Sequence, residues 1–127
     1  MYLLDGRVDA AAKSTERALT LAGKRGQQAE VAVAYRLLAD IALYRDRADL
    51  QSAKSHYEAA VELGGRLGIR PLVARCHLGL GRLYGRAGPA TLAIETLRMA
   101  VAMTSDMGMS YWKDLAEDEA NKLITGT

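Results

Sequence analysis

Residues 69–108 read IRPLVARCHLGLGRLYGRAGPATLAIETLRMAVAMTSDMG. Small and apolar residues recur three and four apart on either side of a single break at Gly88-Pro89, which is the spacing of two amphipathic helices and not of strands. The first helix is predicted over about Arg70–Arg86, with Pro71 in the first turn, where its missing backbone donor costs nothing. The second is predicted over about Pro89–Met107, ended by Gly108.

Sliding the sequence by forty residues lays 29–68 on 69–108 without a gap. Val33 then falls on Val73, Ala34 on Ala74, Leu38 on Leu78, Leu43-Tyr44 on Leu83-Tyr84, Ala53 on Ala93, Ala60-Val61 on Ala100-Val101 and Gly68 on Gly108. These nine identities are mostly small or apolar residues at helical spacing, so they mark a structural repeat. A partial copy precedes it at an offset of forty-two: Ala11, Glu16, Ala18, Leu21, Gly23 and Gly26 match Ala53, Glu58, Ala60, Leu63, Gly65 and Gly68. By that offset Tyr2 takes the place of Tyr44 and Tyr84, as the last turn of a helix. The middle unit predicts helices over about Gln28–Arg45 and Asp49–Leu67 with a turn near Arg47-Ala48, and the first unit a helix over about Arg7–Lys24. A final polar helix, over about Ser110–Leu123, is expected to cap the array. The organisation is thus a single domain over 1–127: a partial repeat (1–26), two repeats (29–68 and 69–108), and a capping helix and tail (109–127).

Composition supports an all-α chain. There are twenty-two alanines and no phenylalanine among 127 residues, and alanine combines the highest helix propensity with the smallest side chain that still packs. Half the residues are apolar and a quarter charged, as in a globular domain and unlike a disordered tail. No apolar run approaches the ~20 residues of a membrane span, and Met1-Tyr2-Leu3-Leu4-Asp5 has no secretory pattern. The lone Cys76 excludes an internal disulfide, and a cytoplasmic location is expected.

On these residues the chain resembles the tetratricopeptide repeat family. The family's signature places appear as His77, Leu80-Gly81, Tyr84, Gly88, Ala93, Leu97 and Ala100 in the last full unit. The middle unit supplies Leu37, Tyr44, Ala53, Tyr57 and Ala60, and departs with Asp40-Ile41 for Leu-Gly and Ala48 for the turn glycine. The partial unit supplies Tyr2, Gly6, Ala11 and Ala18. The forty-residue period exceeds the usual ~34. It is similar to the longer-helix variety in C-terminal regions of bacterial multidomain regulators and of cyclase- or ATPase-type signalling proteins. The resemblance implies an antiparallel helix-pair α-solenoid of about two and a half repeats plus a C-terminal capping helix, with first helices lining a concave groove.

Chemistry-bearing motifs are few. Gly79-Leu80-Gly81-Arg82-Leu83-Tyr84-Gly85 superficially suggests a phosphate loop, but no strand precedes it and it falls within a helix. Cys76 and His77 are adjacent, so on a helix they point about 100° apart and do not grip one metal. His56 and His77, the only histidines, are expected in core or boundary positions, and no Ser/His/Asp or Cys/His set is visible. No catalytic residue, cofactor or metal is therefore expected. Met99, Met103 and Met107 predict an apolar seam between the last helix pair and the cap, with Trp112 nearby.

Charge is more telling than its net +2. Arg66, Arg70, Arg75, Arg82, Arg86 and Arg98 face only Glu95 between Gly64 and Arg98. Arg75, Arg82 and Arg86, spaced seven and four apart, share one helix face. Under the resemblance that face lines the groove, joined by Tyr35 and Arg45, and a basic groove suits a protein partner or acidic peptide. The family's Lys/Asn clamp for a terminal carboxylate is absent, its places holding Tyr35, Leu38, Ala42, Arg75, Leu78 and Arg82. The expected function is a non-enzymatic protein–protein interaction or scaffold module of a bacterial signalling or regulatory protein. Two other readings stand beside it: a small-molecule sensor domain of a transcription regulator, and a homodimer formed through the incomplete first repeat by an exposed stripe at Val8, Ala11, Ala18 and Leu19. A membrane is not expected as a partner, and nucleic acid is disfavoured by the small charge excess and the acidic last helix.

Overall fold

A computed structural model describes residues 5–45 and 48–126. Tyr2 and Arg47 therefore lie outside the described residues. Among these the chain forms six helices: α1 (Asp5–Lys24), α2 (Gln28–Tyr44), α3 (Leu50–Leu67), α4 (Arg70–Ala87), α5 (Ala90–Asp106) and α6 (Ser110–Thr125). The predicted ends are met within about two residues, the usual ambiguity of a frayed turn. Asp49 and Pro89 stand just outside the helices they open; the Asp49 carboxylate accepts from the Ser52 backbone N–H at 3.1 Å. Among the described residues no helix is long and apolar enough to cross a membrane.

The exits of α1, α3 and α5 share one design. Gly26, Gly68 and Gly108 have φ near +70°, and the following residue returns its N–H to a carbonyl five positions back: Gln27 to Ala22, Ile69 to Gly64 and Met109 to Thr104, at 2.8–2.9 Å. A left-handed residue favours glycine, and the return bond satisfies a carbonyl the helix leaves open.

Each helix touches the next in sequence. Pairs such as Arg70–Asp106 and Gly64–Leu72 show that neighbours run antiparallel. α4 also touches α2 and α6, and these three run parallel: Tyr44 meets Arg82, and Arg82 meets Glu119, at separations of 38 and 37 residues. Among the described residues α1, α3 and α5 do not touch one another.

Alanine and glycine set the closeness of the layers. Ala53, Ala60, Ala93 and Ala100, paired by the forty-residue period, are all fully buried. A Cβ on Gly81 would stand 2.5 Å from the Leu97 side chain, and one on Gly79 would overlap the Tyr57 ring. One core joins α2, α3 and α4 through Ala39, Leu43, Tyr57, Cys76, Leu80 and Leu83. A second joins α4, α5 and α6 through Leu78, Leu97, Ala100, Ala116 and Ala120, with Trp112, Leu115 and Leu123 against it. The last helix is thus polar outside and packed inside.

Two packing expectations are corrected. Met99 does not join the seam: it is 52% exposed, because α5 turns Ala93, Leu97, Ala100 and Thr104 inward and leaves Met99 on its flank, whereas Met103 and Met107 are half-buried. Nor is the α1 stripe exposed. Val8 is fully buried and Ala11 and Leu19 half-buried, because with Ala22 they form the inner face of the helix; Ala18 alone faces water.

Candidate functional site

The parallel set α2, α4 and α6 encloses a small cleft of about 120 Å³, lined by Arg36, Asp40, Tyr44, Arg75, Leu78, Gly79, Arg82 and Trp112. Helical spacing builds it: Arg36, Asp40 and Tyr44 stand four apart on α2, and Arg75, Leu78 and Arg82 three and four apart on α4. Gly79 contributes backbone and keeps the floor low, since the Tyr57 ring lies directly beneath.

The charges in the cleft are not equivalent. Arg36 Nη1 donates to Asp40 Oδ2 at 2.6 Å, and the buried Tyr57 hydroxyl donates to the other oxygen of the same carboxylate. Burial raises the Tyr57 pKa far above the ordinary phenol range, and the Asp40 charge adds to it, so the hydroxyl remains a donor. Arg82 donates through Nη1 to the Tyr44 hydroxyl at 2.5 Å and through Nε to Glu119 at 3.3 Å. Burial works against its charge, but Tyr44 and Glu119 outweigh burial and the pKa is raised. Arg75 has no such support. Its guanidinium lies 4.4 Å from the centre of the Trp112 ring, with no carboxylate paired to it among the described residues. Burial lowers its pKa and the Arg36 charge lowers it further, with the nearby Asp40 charge offsetting this only in part.

The five residues expected to form one groove separate. Arg75 and Arg82 line the cleft, and Arg86 sits at its edge, donating to the Leu43 carbonyl at 2.7 Å with its guanidinium 5.9 Å from the Tyr44 ring. Tyr35 instead packs toward α3, its ring 6.1 Å from that of His56. Arg45 turns to α1 and pairs with Asp9 at 3.3 Å. A one-residue step explains the difference: Arg36 and Tyr44 face α4, so Tyr35 and Arg45 are rotated about 100° away. Asp40, Trp112 and Glu119 complete the arrangement. One sign of it was available, because Asp40 replaces the leucine of the repeat signature in the otherwise apolar stretch 37–43 and has Arg36 four residues before it.

The other reactive groups are quiescent. Cys76 is buried, and burial pushes its thiol up to about 12, so it is protonated at neutral pH. His56 Nδ1 donates to the Ser52 carbonyl at 2.8 Å. His77 is half-buried and burial lowers its pKa from 6.5. The unfolded imidazole therefore takes a proton that the folded one refuses, and folding stability falls as pH drops below about 6.5. Replacing His77 by leucine should flatten the fall in melting temperature between about pH 7.5 and 5; an unchanged slope would assign acid sensitivity to other groups. No cluster of three or more His, Cys, Asp or Glu side chains among the described residues is arranged to hold a metal.

A second, open groove between α1 and α2 is apolar, bounded by Thr15, Ala18, Ala29, Val33, Leu37 and Ile69. Comparison with protein-family models, curated proteins and solved structures gave no match.

Proposed function

We propose that the chain is a short tetratricopeptide-like α-solenoid that acts as a non-enzymatic protein-interaction module, of the kind that serves bacterial signalling or regulatory proteins. It takes an acidic partner segment on the face formed by α2, α4 and α6. The single observation that carries this reading is the cleft, where Arg75 presents a positive charge held by an aromatic ring and not by a carboxylate. The solenoid reading is supported by the parallel set α2, α4, α6, the shared glycine exits and the forty-residue period.

At this cleft the small-molecule reading fares less well, since about 120 Å³ is below the several hundred Å³ typical of sites that enclose a metabolite; the apolar groove between α1 and α2 is larger, about 440 Å³, but open to solvent. Self-association through α1 is weakened by the inward turn of Val8, Ala11 and Leu19.

The test is fluorescence anisotropy with fluorescein-labelled peptides: a glutamate-rich series, the same peptides with glutamine for glutamate, and a lysine-rich control. Saturable binding of the glutamate series, weakened by added salt as exposed charge pairs are, is the expected result. Equal binding of all three, or of none by the folded chain, would overturn the reading.

A further inference from the structure

Resting on that interaction reading, we propose that the cleft is a subsite for a single carboxylate group, an acidic side chain of the partner peptide, seated against Arg75 with the Trp112 ring as its wall. Three guanidinium groups converge on the cleft, but two are committed: Arg36 to Asp40, and Arg82 to Tyr44 and Glu119. Among the described residues Arg75 has no ion pair and no hydrogen bond through its guanidinium, whose carbon lies 4.4 Å over the Trp112 ring, so its N–H edge is without a partner. A planar carboxylate matches that edge through two parallel bonds. It also relieves the like charge of Arg36 that Arg75 faces.

The committed groups set the charge of the ligand. Asp40 and Glu119 flank the cleft, so an incoming anion meets two carboxylates as well as three cations. A monoanion balances that set, whereas a phosphate dianion adds repulsion from both carboxylates. Size agrees: about 120 Å³ admits a carboxyl group and its adjoining methylenes, and no larger body. Leu78 gives the methylenes an apolar floor. Arg75 binds the ligand directly, while Arg36, Asp40 and Arg82 keep the cleft in shape.

Trp112 is the only tryptophan in the chain, so its emission reports on the site without a label. The experiment titrates the full chain with a short glutamate-rich peptide, its glutamine counterpart, sodium glutarate and inorganic phosphate at matched ionic strength. Expected results are a saturable emission change with the glutamate peptide, competition by glutarate in excess of phosphate, and no response to the glutamine peptide. Arg75→Gln should weaken the glutamate peptide by at least about tenfold, since a charge-assisted pair is removed. Arg75→Lys, which keeps charge and fold but loses the planar fork, should fall between the two. Tight glutamate-peptide binding that Arg75→Gln leaves unchanged would overturn the subsite and leave the interaction reading standing, as would phosphate competing better than glutarate. Failure of both glutamate peptide and glutarate to bind the wild-type chain would overturn both. The wild-type competition arm stands even if a variant folds poorly.

Discussion

Replacing Gly79 by alanine should lower the melting temperature by about 10 °C, although alanine is the better helix former by about 1 kcal/mol. The added methyl group would overlap the ring of Tyr57, which is fully buried and cannot retreat into water. Overpacking of this kind costs about 1–3 kcal/mol. Moving the ring also breaks the hydrogen bond from its hydroxyl to Asp40, worth about 1.5–3 kcal/mol for a charged acceptor. Less the helix gain, the net loss of about 1.5–5 kcal/mol brackets that shift for a domain of this size. Gly65→Ala is the matched control. It too is helical, nothing stands within 4 Å of its added carbon, and it should gain up to about 1 kcal/mol. Equal melting points for the two variants would show that Tyr57 does not lie against α4.

Asp40→Ala should cost about 3–5 kcal/mol in urea denaturation, with the slope against denaturant unchanged. The carboxylate is shared by the Arg36 guanidinium and the Tyr57 hydroxyl, and Arg36 is 9% exposed. Removing the shared acceptor leaves a buried cation and a buried donor unsatisfied together. Asp40→Asn keeps an oxygen for Tyr57 and loses only the charge, so it should cost less than the alanine variant. A triple exchange of Arg36, Asp40 and Tyr57 for methionine, leucine and phenylalanine should recover most of the loss, because paired buried charges give little net stability over apolar residues of similar volume. If Asp40→Ala unfolds at the wild-type midpoint, the three groups are not joined in solution.

Helix number, helix ends and the buried alanines were legible in the sequence because they follow from local rules. Gly68 and Gly108 stop helices by backbone conformation alone, and Ala53 and Ala93 repeat at one period. Side-chain direction was less legible. The methionine stripe and the α1 stripe are both at valid helical spacing, but a spacing says that residues share a face and not which face meets a neighbour. The cleft was half legible for the same reason. Arg75 and Arg82 were found as an unbalanced run of charge, whereas Arg36, Tyr44 and Trp112 enter it only because α2, α4 and α6 lie side by side. Tyr35 and Arg45 were misplaced by one residue each, enough to turn them to α3 and α1.

The helix that carries Arg75 is also the hub of the molecule: among the described residues α4 touches α2, α3, α5 and α6, while α1 touches α2 alone. Amide exchange should therefore be graded, with α1 opening by local fluctuations that cost only the α1–α2 contact and α4 exchanging only when the rest comes apart. Occupancy of the cleft would then slow exchange through α4 and the four helices it touches and pass α1 by. A ligand that touches few residues would in this way leave its imprint on most of the chain, with α1 as an internal reference that does not change.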